Sequence, residues 1–419
     1  MSSPTLCTTG AIANLFARSV GDAGIGHVLR IVRKHLGMDV AFVSRFRAED
    51  RVFEHVDADG AAPIQVGQTI PLHEGYCQKV VSGELPQLIP DTSTVPAALA
   101  IPATQAIPIG SHLSVPVRLE EGEVYGTLCC FSHHPNLSLG DRDLSMLSAF
   151  AEVVAQRVDE DLAASRQRAR ATEAIWAAIA AGAPRIVYQP IYELDARTLV
   201  GVECLSRFDI EPQRAPDQWF DGAREAGVQL DLELHAIRNA IAAIEAFPAA
   251  VYLGINSSPE LILSGRLAPE LANLDASRIV LEITEHATVT DYDALIRALR
   301  PMRDRGVRIA VDDAGAGYAS MRHILNLKCE IIKLDMSLTR DIDTDPGRRA
   351  LARGLISFAC DIGSDIIAEG IETRCELDVL CNLGVHKGQG YFLSKPGSME
   401  AALTAFRCGC PALAAPPGS

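Results

Sequence analysis

The chain of 419 residues contains no run of the roughly 18 apolar residues that crossing a bilayer requires. Its opening, MSSPTLCTTGAIANLFARSV, also lacks a basic segment followed by a long apolar one. These absences argue against a membrane span and a secretory leader, and the expected location is cytoplasmic. Basic residues are in deficit: 38 Lys and Arg stand against 53 Asp and Glu, for a formal charge of −15. That balance argues against an electrostatic grip on DNA or on an anionic lipid surface. An anionic ligand would need a local source of positive charge. The eleven cysteines include no C-x-x-C pair, and neither Cys129-Cys130 nor Cys408-Gly409-Cys410 has metal-finger spacing. They read as reduced thiols that act as small buried hydrophobes.

What is present describes an ordinary globular protein: 48% of residues are hydrophobic and 22% charged, and the length suits two cores rather than one. From residue 7 to 140, helix and strand patterns mix. AIANLFARSVGDAGIGHVLRIVRKHLG has helical spacing and ends at Gly37, followed by the strand-like runs DVAFVSRFR, RVFEHVDA, HLSVPVRL and EVYGTLCCFS. The short connections predict an antiparallel sheet carrying helices. One long helix, or a closely broken pair, follows. Its Leu144, Leu147, Ala151, Val154 and Val158 recur three and four apart, a stripe that either packs on its own domain or joins a second copy in a parallel dimer.

After Gly182 the pattern becomes strand, loop, helix, repeated. Eight strand-like runs can be marked, at 185–191, 199–208, 250–256, 278–284, 307–313, 330–335, 365–370 and 387–392. Eight parallel strands within a ring of helices form a closed (β/α)8 barrel. The first connection, YELDARTL, is too short for a parallel crossover, so the first two strands should be antiparallel.

Gln189, Glu203, Asn256, Glu282, Asp312, Asp313, Lys333, Glu369 and Gln389 all fall toward the C-terminal ends of these runs, and in a barrel such ends meet at one mouth. Five carboxylates in one cavity repel and raise one another's pKa values unless cations offset them. Oxygen donors without neighbouring Cys or clustered His select Mg2+ or Mn2+ over zinc or copper. The adjacent Asp312 and Asp313 suit two ions per site, one carboxylate bridging while the other binds terminally.

Residues 7–160 resemble a GAF domain, through GYCQKVVSGELPQLIPDT at 75–92 and VYGTLCCFSHHPNLSLGDRDLSMLSAFA at 124–151. That resemblance implies a small-molecule sensor of unknown ligand, with Cys77 read as a buried structural thiol rather than a chromophore tether. Residues 170–405 resemble the EAL family of cyclic di-GMP phosphodiesterases, through YQPI, VECLSRF, GINSS, LEITE, VDDAGAGYAS, IIKLD, IAEGIET and GQGYFLSKP in order. The expected organisation is an α+β GAF-like domain at 7–160, a helical linker at 161–183 and a TIM-like barrel at 184–407.

The EAL resemblance implies that Glu203, Asn256, Glu282 and Asp312 hold metal, with Asp313 contributing to the second ion. It places Lys333 and Glu369 beside the attacking water, Glu369 near the general-base position. Gln189 and Arg207 would contact the nucleotide, Gln389 would support the water and phosphate region, and Glu285 would anchor the loop after Asp313. The implied activity is hydrolysis of cyclic di-GMP to linear pGpG, regulated by the GAF-like domain in a homodimer; the alternative is a weak or inactive receptor that signals through the helix. This sequence departs from the family with Cys204 for Ala, and with Ala314 where a Phe is usual, which predicts a wider, more mobile loop after the aspartates.

Overall fold

The computed structural model of the protein describes residues 24–283, 289–315 and 318–410. Glu285, predicted to anchor the loop after Asp313, lies outside the described residues. The chain divides into two compact units, 1–167 and 168–419.

The first unit is built on a six-stranded antiparallel sheet in the order β3-β2-β1-β6-β5-β4. Its strands are β1 (Val40–Phe46), β2 (Asp50–Ala58), β3 (Thr69–Pro71), β4 (Leu88–Ile89), β5 (Ser111–Arg118) and β6 (Val124–Ser132). Successive side chains of a strand leave opposite faces, so the sheet carries two cores. On one face, Val28, Leu29, Val32 and Leu36 of the helix Gly24–Leu36 pack with Val43, Val115 and Cys130. The other face gathers Phe42, Phe53, Tyr76, Cys77, Cys129 and Phe131.

Helix Asp141–Ala180 is one unbroken element of 40 residues. Leu147, Ala151, Val154 and Val158 are buried in the first of these cores, with Leu144 packed against it. The stripe is thus used within its own domain, and the parallel-dimer reading of those positions is set aside.

In the second unit β7 (Arg185–Glu193), β8 (Thr198–Arg207), β9 (Tyr252–Asn256), β10 (Ile279–Ile283), β11 (Arg308–Ala314), β12 (Ile331–Leu334), β13 (Asp365–Ala368) and β14 (Lys387–Gly388) close into a barrel. Strand β7 runs antiparallel to both neighbours, β8 and β14, while all other pairs are parallel. The antiparallel first pair expected from the short YELDARTL connection is present. The last strand is shorter than its pattern suggested.

Inside the barrel Ile191, Tyr252, Val280, Ala310, Ile331 and Ile367 form a buried floor. Two residues further toward the mouth, on the same face by the strand period of two, come Gln189, Glu282, Asp312, Lys333 and Glu369. The apolar floor therefore fixes the height of the polar layer above it. Gln189 numbers downward from Ile191 because β7 is reversed: it lies mid-strand, not at a C-terminal end, and meets the others by pairing with Glu203.

Candidate active site

The polar layer is organised around one ammonium group. Lys333 is 1% exposed, and its Nζ lies 2.6 Å from Glu282, 2.9 Å from Glu369, 3.0 Å from Asp312 and 3.4 Å from Glu203. An unpaired buried lysine would be costly, but here four carboxylates converge on it. Burial works against its charge, and the carboxylates outweigh burial and raise its pKa well above the usual value. The neighbouring Asp335 is not its partner. That side chain instead caps the helix Met336–Thr339 by accepting from Ser337 N.

One cation cannot balance four acids. Burial first, then the Glu203 and Asp312 charges, push Glu282 up to about 8 against the pull of Lys333. Glu369 is likewise raised well above the carboxylate range, chiefly by burial. Gln389 holds two of the acids in place, its Nε2 donating to Glu203 at 2.6 Å and Glu369 at 2.8 Å, while its buried Oε1 has no partner.

Asp312 and Asp313 show how two consecutive residues reach one site. Regular alternation would send them to opposite faces, but the β11–β12 register shifts between Val311 and Ala314, and Asp313 takes φ +54°. A bulge of this kind re-aims side chains, and a left-handed non-glycine backbone costs on the order of 1–3 kcal/mol where the surroundings impose it. Among the described residues, two groups of three carboxylates could each hold an ion: Glu203, Glu282 and Asp312, and Asp312, Asp313 and Glu369. Their shared member is Asp312. The oxygen-only donors, the excess of buried acid and the orphaned Gln389 oxygen fit a pair of hard divalent cations.

Asn256 is level with Glu282 across the β9–β10 pairing. Glu203 lies opposite Gly254. A Cβ on Gly254 would come within 2.1 Å of Glu282 Oε1, so this glycine clears the space in which that carboxylate stands. Sequence reading passed over it. Gly254→Ala should displace Glu282 and lower activity by about ten- to a hundredfold, as expected when the support of a ligating group is lost. A steady-state rate near that of the intact protein would show the carboxylate can move aside freely.

Two clefts lie beside the polar layer among the described residues. One, of about 460 Å3, exposes Gln189, Glu203, Asp312, Asp313, Glu369 and Gln389, with Arg340, Glu372 and Tyr391 on its rim. The other, of about 430 Å3, is lined by Arg207, Asn256, Ser258 and Glu233. Arg207 and Asn256 therefore line a different cleft from the one that exposes the acids. Glu233, which sequence reading missed, accepts from Ser258 N and from Ser258 Oγ at 2.6 Å and so fixes the loop after β9. A single buried acid in the helix Gln229–Ile241 leaves no sequence signal of that job. Ala314 is fully buried at the end of β11; the family's usual ring is replaced by a small packed side chain there. The loop predicted to widen passes through residues outside those described.

The EAL domain family model matches residues 143–396, and the GAF domain model matches residues 25–158. The chain belongs to the EAL domain family, with a GAF domain preceding the barrel. A Pseudomonas aeruginosa protein named cyclic di-GMP phosphodiesterase is 32% identical over 223 residues, which is 50% of this chain and 38% of that one. A probable cyclic di-GMP phosphodiesterase of Escherichia coli is 30% identical over 224 residues, covering 50% of this chain and 44% of its own. The chain thus spans less than half the length of these relatives. An EAL domain protein of Listeria monocytogenes superposes with a TM-score of 0.51 at 25% identity, over 56% of this chain and 96% of that one. No helix among the described residues is long and apolar enough to cross a membrane.

Proposed function

We propose that the barrel hydrolyses cyclic di-GMP to linear pGpG with the help of two Mg2+ or Mn2+ ions. The observation that carries this reading is the pair of three-carboxylate groups sharing Asp312 around the Lys333 ammonium. Two relatives named as cyclic di-GMP phosphodiesterases support the substrate class.

In this reading Glu203, Asn256, Glu282 and Asp312 hold one ion, and Asp312 and Asp313 take part in holding the second. When bound, the ions supply charge on the phosphate oxygens and lower the pKa of the attacking water. Glu369, held 2.9 Å from the Lys333 ammonium, would accept the water's proton once the ions offset the crowding of the acids. Lys333 fixes Glu369 and Asp312 relative to each other and supplies positive charge beside the phosphate. Gln389 locks Glu203 and Glu369 against rotation, and Gln189, which lines the same cleft, extends the layer toward the nucleotide. Arg207 offers a planar fork to a phosphate or a guanine edge in the adjoining cleft. Local cations in this way overcome the repulsion that a net charge of −15 would impose on an anionic substrate.

The test is chromatography of the products formed from cyclic di-GMP, with magnesium or manganese, by the intact protein and by Glu203→Ala. Linear product from the first and a loss of at least about a hundredfold in the second are expected. Tight binding with no linear product in either metal would instead identify a receptor.

The raised carboxylates add a pH signature. Glu282 stays protonated in the folded barrel up to about pH 8, whereas its usual value is 4.5. Its folded form is therefore favoured below the usual value, and that contribution is lost as pH rises through the folded pKa. The metal-free barrel should melt at progressively lower temperature between about pH 5 and pH 8, and manganese should restore most at the upper end. A metal-induced gain in melting temperature that shrinks as pH rises would contradict the assignment.

A further inference from the structure

The GAF domain buries a cation with no acid beside it. Arg51 of β2 is 5% exposed, and among the described residues no carboxylate lies within ion-pair reach. Its Nη1 donates to Cys77 Sγ, its guanidinium lies 5.2 Å from the centre of the Phe53 ring, and its Nε has no partner. A buried guanidinium persists where something carries the opposite charge, and the acidic group it touches is the Cys77 thiol.

Cys77 does not stand alone. Its Sγ is 3.5 Å from Cys129 Sγ, which in turn lies 3.0 Å from Ser114 Oγ and 3.1 Å from Thr127 Oγ1. Burial opposes ionisation of both thiols, yet the Cys129 hydrogen bond and then the Arg51 charge bring Cys77 down to about 5. Burial, and then Cys77 itself, drive Cys129 well up. The surroundings thus favour the anion at Cys77 over Cys129, the division of labour of an attacking and a resolving cysteine. Cys130, next in β6, leaves the other face of the sheet and is pushed up by burial. It serves as an internal control.

Arg51 also lines a small cavity with His112, Tyr76, Phe42, Phe53 and Phe131. His112 is 2% exposed, stacks on Tyr76 at 4.3 Å and has an unpartnered Nδ1; burial, and then the Arg51 charge, hold it neutral by lowering its pKa to about 3. The cavity measures about 30 Å3. A water fills roughly 10–15 Å3 by this measure, so the space suits a molecule of about two heavy atoms with hydrogen-bonding ends.

We propose that Cys77 and Cys129 form a thiol pair oxidised by hydrogen peroxide that enters through the cavity of Arg51 and His112; neither sulfur lines this cavity, and Arg51, which both lines it and touches Cys77 Sγ, hands the peroxide on. The Cys77 thiolate attacks one peroxide oxygen, the O–O bond breaks, and the departing hydroxide takes a proton from solvent to become water. Cys77 is left as a sulfenic acid. The Cys129 sulfur then attacks Cys77 Sγ; an S–S bond forms, the S–O bond breaks, and the departing hydroxide leaves as water with the Cys129 proton. Two thiols lose two electrons in total and one peroxide becomes two waters.

This chemistry is independent of nucleotide hydrolysis, and so is its test. The full chain is treated with hydrogen peroxide near neutral pH, quenched with catalase, denatured, alkylated and mapped by mass spectrometry. The expected product is a peptide pair linked through Cys77 and Cys129, formed before the exposed Cys360, Cys375, Cys381 and Cys408 oxidise. Cys129→Ser should stop at a Cys77 sulfenic acid trapped by a cyclic dione, and Cys130→Ser should leave the linkage intact. Arg51→Met should slow the reaction at least about tenfold. Cumene hydroperoxide, too large for the cavity, should react far more slowly than hydrogen peroxide. Recovery of alkylated Cys77 and Cys129 from the unmodified sequence after the exposed thiols have oxidised would overturn the proposal, and equal rates with the two peroxides would overturn the role of the cavity.

Discussion

Lys333→Met should lower turnover of cyclic di-GMP by about 10²- to 10⁴-fold, the range for losing a charged group that acts in the transition state. It should also lower the melting temperature of the chelator-treated protein. Four carboxylates lie within 3.4 Å of this ammonium, and removing one partner of a buried ionic cluster typically costs about 3–5 kcal/mol. The acids can soften that loss by taking up protons, so the deficit should grow as pH rises. Manganese should recover much of the stability, because cations again neutralise the acids, yet should not recover the rate. A melting temperature unchanged in chelator would mean that the acids do not depend on the lysine, contrary to the geometry.

Glu282→Gln tests the same cluster from the opposite side. This residue is 1% exposed and held largely protonated by burial, so its charge is a burden on the metal-free fold. Glutamine keeps an oxygen to accept from Lys333 Nζ and removes the negative charge. We expect the chelator-treated variant to melt at or above the intact protein, with the difference widening between about pH 5 and pH 8. Turnover should nonetheless fall by about a hundredfold or more, since a carboxylate would be lost from one of the two proposed ion sites. Calorimetry in chelator beside a rate assay in manganese separates the two effects. A variant that loses both stability and rate would place Glu282 among the structural acids.

Much of the barrel and its polar layer was legible because both follow a period of two. Apolar runs that end in Glu282, Asp312 and Lys333 announce strands whose interior face changes from floor to site within two residues. What escaped was whatever depends on direction or on a break in that period. Gln189 reaches the site because β7 is reversed, which the short first connection implies but a rule based on C-terminal strand ends does not capture. Asp313 joins Asp312 through a register shift and a positive φ that an Asp-Asp pair does not disclose. Arg207 belongs to the motif that names the family, yet it opens on the cleft beside the acids, since side chains at a strand end can serve either wall. The stripe on the long helix was ambiguous for a further reason: apolar residues three and four apart suit a domain core as well as a partner helix.

The reversal of β7 also decides where the chain enters the barrel. Arg185 begins that strand opposite Arg207, at the rim that carries the acids, so the polypeptide comes in through the roof and not through the floor. Just before this entry Ile175 and Ala178 of helix Asp141–Ala180 share a buried cluster with Phe208, Trp219 and Ala223. A twist applied to that stretch of helix would be felt first by the acid-bearing edge, with the whole depth of the barrel lying beyond it.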